Sequence, residues 1–127
     1  MAQEVHVSRI PADLAAKLLQ GCERLDPAGL TNTDTLRAMA ARGACFAATT
    51  DTAQAVYVLK VENGRAWVSA CKGAGPVDWS GMLLPVIEQQ AQGLQAVAFQ
   101  TARRGLVRKA QRQGYRVAGY IMEKHLQ

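Results

Sequence analysis

The chain has 127 residues, of which 49% are apolar by side-chain type and 20% are charged, and its net charge is +5. These values predict one globular domain and exclude a disordered, collagen-like or repeat protein. No apolar stretch reaches the roughly 20 residues of a membrane helix, and Glu4, His6 and Arg9 stand where a signal peptide would be apolar. We therefore expect a soluble, cytoplasmic protein that does not enter a membrane.

The three cysteines, Cys22, Cys45 and Cys71, are odd in number and far apart in the sequence. This pattern matches neither a disulfide framework nor the paired spacing of a zinc site, so we expect reduced thiols. The two histidines, His6 and His125, lie near opposite ends of the chain, and neither has a carboxylate at helical spacing. We therefore predict no metal.

A strand and two helices are predicted in the first third of the chain. Residues 5–8 alternate between apolar and polar side chains, which indicates a half-buried strand. Pro11 suits the first turn of a helix whose leucines repeat at helical spacing to about Gln20. Residues 26–32 predict a connection, and a second helix is expected from about Thr33. Both helices are interpreted as a scaffold or lid.

A β-hairpin is the clearest local prediction. Asn63 and Gly64 are the residue types that accept the two positive φ angles of a type I′ turn. The flanking runs, 55–61 and 67–70, are rich in β-branched and aromatic residues. A strand at 44–49 is predicted before them, so three strands form a meander.

A turn that contains glycines leads from this meander into a third helix. The turn is predicted from Lys72 to Pro76, and the helix begins near Asp78 or Ser80. Free backbone amides at a helix N-terminus can bind phosphate, but glycines also occur in turns for conformational reasons alone. Pro85 interrupts the helical pattern, so the helix is either kinked there or begins later than Asp78.

The last part of the chain predicts a strand, a helix and a final strand. Residues 97–99 form a short apolar run, Thr101 is suited to cap the helix, and Gly114 ends it. The run from Tyr115 to Met122 is apolar, aromatic and β-branched, and it predicts the final strand.

Basic residues are concentrated on this predicted helix, and no acid occurs between Glu88 and Glu123. The basic residues in this window are Arg103, Arg104, Arg108, Lys109, Arg112 and Arg116. They form a solvated helix surface, or they bind cofactor phosphates, a nucleic acid backbone or an acidic partner. Nucleic acid is less favoured than the other ligands, because no aromatic residues for base stacking are interleaved with the basic ones.

The order of elements and the motifs of the last third resemble the GNAT superfamily of acyl-CoA-dependent N-acetyltransferases. The segments that carry the resemblance are 86–94, 96–101, 104–110 and Gln113-Gly114-Tyr115. In particular, the chain looks like the short GNAT-like proteins often found in phage genomes, in which a helix with an arginine-rich start precedes a Gly-Tyr pair. The resemblance implies one domain over residues 1–127 with an α/β fold of the α+β kind. Its sheet is mixed, mostly antiparallel and twisted, with about six strands and four helices in the order β-α-α-β-β-β-α-β-α-β.

The resemblance implies that acetyl-CoA enters a wedge between the strand that ends at Cys71 and the strand at 96–100. The first strand would pair with the pantetheine arm, the following turn would bind the pyrophosphate, and two arginines would reach the adenosine phosphates. These residues are Val68, Ser69, Ala70, Cys71, Lys72, Gly73, Ala74, Gly75, Arg103 and Arg104. An amine on a small molecule or a protein would attack the thioester directly.

The sequence departs from the family pattern at two positions that bear on chemistry. Pro76 stands where the phosphate loop would present an amide, and Ala110 stands where the family has its tyrosine acid. The substitutes for an acid or base are Tyr115, Glu62 and Cys71, and each of them has a packing or surface role as the alternative.

Two classes of function follow from the resemblance. The first is an acyl-CoA-dependent N-acyltransferase of unknown amine acceptor. The second is a GNAT-fold protein without catalysis, which serves as a binding or assembly component in a phage particle or against a host factor. The face formed by Arg104, Arg108 and Arg112 would contact CoA phosphates in the first and an acidic protein in the second. A homodimer is compatible with both.

Overall fold

The computed structural model describes residues 4–22 and 36–126. These residues form five strands and four helices in the order β-α-α-β-β-β-α-β-α. The elements are β1 (His6–Arg9), α1 (Ala12–Leu18), α2 (Leu36–Arg42), β2 (Ala44–Thr49), β3 (Gln54–Glu62), β4 (Arg65–Ala74), α3 (Trp79–Gln90), β5 (Ala96–Ala98) and α4 (Arg104–Arg112). The predicted connection at 26–32 and the helix start near Thr33 lie outside the described residues. No helix in the described ranges has the length and apolar character needed to cross a bilayer.

The five described strands form a single mixed sheet, and their order in the sheet is their order in the chain. The pairs β1–β2, β2–β3 and β3–β4 are antiparallel, whereas β5 is parallel to β4. A parallel neighbour requires a crossover connection, which α3 supplies. The predicted α+β class and the mostly antiparallel sheet are confirmed.

The turn between β3 and β4 has the predicted geometry. Asn63 has a φ of 52° and Gly64 a φ of 75°, as a type I′ turn requires. The carbonyl oxygen of Gly64 accepts a 2.7 Å hydrogen bond from the backbone N–H of Gln95. The hairpin turn therefore holds the beginning of β5 beside the beginning of β4.

Apolar clusters lie on both faces of the sheet, because alternate residues of a strand point to opposite sides. Val58 belongs to the cluster that includes α1 and α2, and Tyr57 belongs to the cluster that includes α3. The Tyr57 ring stacks on Phe46 with centroids 5.3 Å apart, and its hydroxyl donates a 2.7 Å hydrogen bond to Gln90 Oε1. The two helical layers are thus attached to a shared sheet.

Helix α3 begins at Trp79 and continues through Pro85. Its first residue therefore lies between the two starts predicted from the sequence, Asp78 and Ser80. Pro85 and Gly81, the residue four positions earlier, are both exposed. The carbonyl group that loses its helical hydrogen bond at the proline therefore belongs to an exposed residue, where water can replace the bond.

Helix α4 begins later than predicted. Its first residue is Arg104 and its N-cap is Arg103, so the prediction that Thr101 caps the helix is wrong. The Thr101 hydroxyl oxygen instead accepts a 3.0 Å hydrogen bond from the backbone N–H of Arg103, which shapes the connection before the helix. Gly114 follows the last turn with a φ of 94° and ends the helix as predicted.

The final strand predicted from Tyr115 to Met122 is not formed. None of the described residues in this run belongs to the sheet, which ends at β5. Tyr120 is 89% exposed and Met122 is 90% exposed. The prediction was wrong because β-branched and aromatic residues form a strand only where they pack against a neighbouring strand.

Candidate functional site

A cleft opens where β4 and β5 separate. The two strands pair only between Arg65–Trp67 and Ala96–Ala98. Past these residues the strands enclose a cleft of about 1390 Å³, with residues 67–71 on one wall and 99–101 on the other. Small-molecule sites usually have a volume of roughly 300–1,000 Å³, so this cleft has room for an elongated ligand.

Strand β4 is irregular along this wall. Val58 of β3 faces Ala70 and Leu59 faces Val68, so Ser69 is an extra residue on β4. Such a bulge bends its strand and changes the direction of nearby backbone groups. Ser69 is half-buried and lines the cleft. The bulge therefore lies at the position where β4 departs from β5.

The edge of β4 that faces the cleft offers backbone hydrogen-bonding groups. The ladder with β5 ends at Trp67, so the segment from Val68 to Cys71 has β3 as its neighbour on one side and the cleft on the other. Backbone N–H and C=O groups at such an edge can pair with an extended, amide-containing ligand. This arrangement fits a pantetheine arm, which is a linear chain with two amides.

Strand β4 extends beyond its predicted end at Cys71. It continues to Ala74 and pairs with β3 to that residue, so Lys72, Gly73 and Ala74 are strand residues. The prediction of a turn that begins at Lys72 is therefore wrong, and Gly75 is the first residue after the strand. The pairing continues because the facing residues 54–56 extend β3 in register.

Packing accounts for the glycine at position 73. A Cβ atom at Gly73 would overlap the indole ring of Trp79. The Trp79 Nε1 group also donates a 3.0 Å hydrogen bond to the carbonyl oxygen of Ala74. The first residue of α3 thus covers the end of β4, and Gly73 provides the space for the ring.

Gly75 and its neighbours also use their backbone groups within the protein. Gly75 has a φ of 102°, and a Cβ atom there would overlap Ala53 of the β2–β3 turn. Its carbonyl oxygen accepts a 3.0 Å hydrogen bond from the backbone N–H of Val77, and Pro76 has no N–H to donate. Neither residue 76 nor residue 77 therefore offers a free amide to an anion.

The side chain of Lys72 is directed toward α1. Its Nζ donates a 2.6 Å hydrogen bond to the carbonyl oxygen of Gln20, two residues beyond the end of α1. This contact connects β4 to the end of that helix, where a cation also interacts favourably with the helix dipole. The expected contact between Lys72 and a cofactor phosphate remains a prediction.

A carboxylate and an ammonium group meet at the mouth of the cleft. Asp78, the N-cap of α3, accepts a 2.7 Å hydrogen bond from the Ser80 hydroxyl and lies 3.4 Å from Lys109 Nζ on α4. The hydrogen bond from the Ser80 hydroxyl has the largest effect and lowers the pKa of Asp78; burial opposes it, and Lys109 and a backbone hydrogen bond with Gly81 lower the pKa further. Gln113 Nε2 adds a 3.1 Å hydrogen bond to the Ser80 carbonyl oxygen. The two helices are therefore linked across the mouth of the cleft.

Cys71 is the predicted catalytic residue that lines the cleft. Burial raises the pKa of its thiol to about 12, and the nearby Cys22, which also lines the cleft, adds to the increase. The thiol therefore stays protonated near neutral pH and can donate a weak hydrogen bond.

Tyr115 and Glu62 are not among the residues that line the cleft. The Tyr115 hydroxyl donates a 2.8 Å hydrogen bond to Glu88 Oε2 on α3, and burial and then Glu88 raise the pKa of this hydroxyl. Glu62 ends β3 at the hairpin and lies 3.1 Å from Lys60 Nζ. The structure thus brings Cys71 to the cleft and places the other two residues in separate contacts.

The basic residues of α4 have different positions relative to the cleft. Arg103 is exposed and lines the cleft, as Lys109 does, whereas Arg104, Arg108 and Arg112 are exposed on the helix surface. An acidic partner on that surface remains a prediction. No three His, Cys, Asp or Glu side chains in residues 4–22 and 36–126 are arranged to hold a metal ion.

Sequence reasoning missed Asp78, Ser80 and Lys109 as cleft residues. Asp78 and Lys109 are 31 positions apart, and no motif spacing connects them. The start of α3 and the basic character of α4 were both readable from the sequence, but their proximity follows only from the packing of the two helices. The sequence therefore indicated the two helices but not the contact between Asp78 and Lys109.

No family model matches the sequence, and no curated protein matches it. The structure is similar to an IAA acetyltransferase from Bacillus cereus ATCC 14579, with a TM-score of 0.60 and 20% identity over 87% of this chain and 75% of that chain. It is also similar to a predicted acetyltransferase with acetyl-CoA from Clostridium acetobutylicum, with a TM-score of 0.55 and 10% identity over 97% of each chain. At these identities the likeness concerns the fold.

Proposed function

We propose, from the premise that the chain has the GNAT fold, that it is an acyl-CoA-dependent N-acyltransferase whose donor binds between β4 and β5. The observation that carries this proposal is the separation of the two strands after three paired residues. The separation leaves an open strand edge beside a cleft that is large enough for a long donor. The acceptor is an amine whose identity remains open.

The backbone of β4 would bind the pantetheine arm. Val68, Ser69, Ala70 and Cys71 form the wall where the ladder with β5 has ended. The amides of the arm can pair with this edge as a short additional strand would. Specificity for the arm would then depend on backbone geometry and on the bulge at Ser69 more than on any single side chain.

Side chains would bind the phosphate end of the donor. The backbone after β4 has little to offer an anion, because Pro76 has no N–H and the N–H of Val77 is already bonded within the turn. Arg103 and Lys109 line the cleft on the α4 side, and Arg104 begins that helix. Guanidinium groups form paired, charge-assisted hydrogen bonds with phosphate, which suits this role.

The donor, when bound, supplies a thioester whose acyl carbon accepts the amine. The new C–N bond forms as the C–S bond breaks, the sulfur leaves with the electron pair as a thiolate, and the amine proton passes to water. Backbone N–H groups at the Ser69 bulge would polarise the acyl oxygen. Cys71 stays a neutral thiol, which favours direct attack by the amine over an acyl-cysteine intermediate.

Calorimetric titration with acetyl-CoA tests the proposal. Ser69→Trp would put a large side chain on the cleft wall and should abolish the measurable heat of binding. Ser8→Trp makes the same substitution at an exposed position of β1, far from the cleft, and should retain binding. Circular dichroism of both variants checks that they are folded. Absence of binding by the wild-type chain at millimolar acetyl-CoA would overturn the proposal and favour the non-catalytic alternative.

Turnover is measured separately as thiol release from acetyl-CoA in the presence of a panel of primary amines. Amine-dependent release that Ser69→Trp abolishes is the expected result. If acetyl-CoA binds but no small amine or protein lysine causes thiol release, the donor site is supported and the assignment as a transferase is overturned.

A further inference from the structure

Asp78 places a carboxylate beside the residues proposed to bind the phosphate end of the donor. Its Oδ1 atom lies 3.4 Å from Lys109 Nζ and accepts the hydrogen bond from Ser80. Asp78, Ser80 and Lys109 all line the cleft. The acids among the cleft-lining residues are Asp13 and Asp78, and Asp78 is the one that contacts α4.

We propose that Asp78 determines donor specificity by competing with donor phosphate for Lys109, so that it disfavours phosphate-bearing thioesters relative to phosphate-free ones. This inference rests on the proposed function. Lys109 contacts Asp78 when the cleft is empty and exchanges it for phosphate when a phosphate-bearing donor binds. The carboxylate remains next to the phosphate and repels it.

The position of the carboxylate supports this competition. Asp78 is the N-cap of α3, and its Oδ2 atom lies 3.1 Å from the position that a Cβ atom of Gly81 would take. The N-terminus of a helix favours an anion because its first N–H groups are unpaired and its dipole is positive there. The carboxylate of the protein thus already occupies the side of the helix end where phosphate would otherwise be stabilised.

The exposure of the pair makes the exchange feasible. The side chains of Lys109 and Asp78 are 51% and 56% exposed, respectively. Ion pairs with this exposure contribute little to stability, so Lys109 can leave Asp78 at small cost. The link between Gln113 and Ser80 does not involve either charge, so it can keep α3 and α4 together during the exchange.

The experiment compares acetyl-CoA with S-acetylpantetheine, which has the same thioester and arm but no phosphate. Both are titrated into the wild-type protein, Asp78→Asn and Lys109→Met at low and high salt. Asp78→Asn retains the acceptor oxygen for Ser80 and removes the negative charge. It should therefore lower the dissociation constant of acetyl-CoA by about three- to tenfold at low salt. Lys109→Met should weaken acetyl-CoA binding, and neither variant should change the affinity for S-acetylpantetheine.

The control is Asp51→Asn, which removes one carboxylate from the exposed β2–β3 turn and should leave both affinities unchanged. This inference is overturned if Asp78→Asn changes the affinities for both thioesters equally. It is also overturned if Asp78→Asn changes neither affinity while the wild type binds both thioesters. In either case the proposed function stays intact. Failure of the wild type to bind acetyl-CoA at millimolar concentration overturns both. Thermal melts confirm that each variant is folded.

Discussion

The indole Nε1 of Trp79 is hydrogen bonded to the carbonyl oxygen of Ala74 over 3.0 Å, so the first residue of α3 is attached to the last residue of β4. Its ring covers Gly73 and forms part of the cleft lining. One aromatic side chain thus determines where the crossover from β4 begins and also shapes the proposed donor site.

The contact between Trp79 and Gly73 predicts that Gly73→Ala lowers the stability of the protein. The added methyl group overlaps the ring, and overpacking of this kind costs about 1–3 kcal/mol. Urea denaturation measures the free energy of unfolding. The matched control is Gly105→Ala in α4, where the added methyl group meets nothing within 4 Å and should stabilise the helix by up to about 1 kcal/mol. Equal effects of the two variants would contradict this account.

Tyr115 and Glu88 should be energetically coupled. Their 2.8 Å hydrogen bond connects the end of α4 to α3, so Tyr115→Phe should reduce the free energy of unfolding by about 1 kcal/mol. In a double-mutant cycle with Glu88→Met, which leaves no acceptor oxygen at position 88, most of that loss should disappear, because each single change removes the same contact. Tyr120→Phe, at a site that is 89% exposed, should have almost no effect. Additive effects of the two changes would show that the contact contributes nothing.

Cys71 should be alkylated slowly in the folded protein. Burial raises the pKa of this thiol to about 12, so at pH 8 its thiolate fraction is lower than in the unfolded chain by about a hundredfold or more. Iodoacetamide labelling followed by peptide mass spectrometry gives the rate, and the same reaction in urea is the reference. Rapid labelling of native Cys71 would show an activated thiol and would reopen the acyl-cysteine route.

Stability should fall between pH 10 and pH 12, because burial raises the pKa of Tyr57 from 10.0 to about 12, although the hydrogen bond with Gln90 opposes the shift. The unfolded chain loses the phenol proton at a lower pH than the folded protein. The contribution of Tyr57 to the free energy of unfolding is therefore complete below pH 10 and is lost as pH rises through the pKa of the folded state. The loss is about 2 kcal/mol for this residue. Denaturation as a function of pH measures it. Tyr57→Phe should flatten the profile in this window and Tyr120→Phe should not; identical profiles would contradict the assignment.

The features that the sequence predicted correctly depend on local backbone chemistry. Asn63-Gly64 has the positive φ angles of its turn, and Gly114 has the positive φ that ends α4. The order of elements as far as α4 follows from local hydrophobic periodicity, which is independent of the partner that each element meets.

The features that the sequence did not predict depend on contacts between distant residues. The run from Tyr115 has the composition of a strand, but no described strand lies beside it. Strand β4 ends at Ala74, beyond the predicted end at Cys71, because β3 is long enough to pair with it. The contact between Asp78 and Lys109 exists because α3 and α4 pack together. Periodicity contains no information about such neighbours.

The strand order also has a consequence for the route by which the domain folds. Strands β2, β3 and β4 are joined by short turns and are antiparallel, so they can assemble from local contacts, which form quickly. Strand β5 joins through a crossover and pairs over three residues, so it should dock late and detach early. The amides of β5 should therefore exchange with deuterium before those of β3, and the donor cleft should be assembled last during folding.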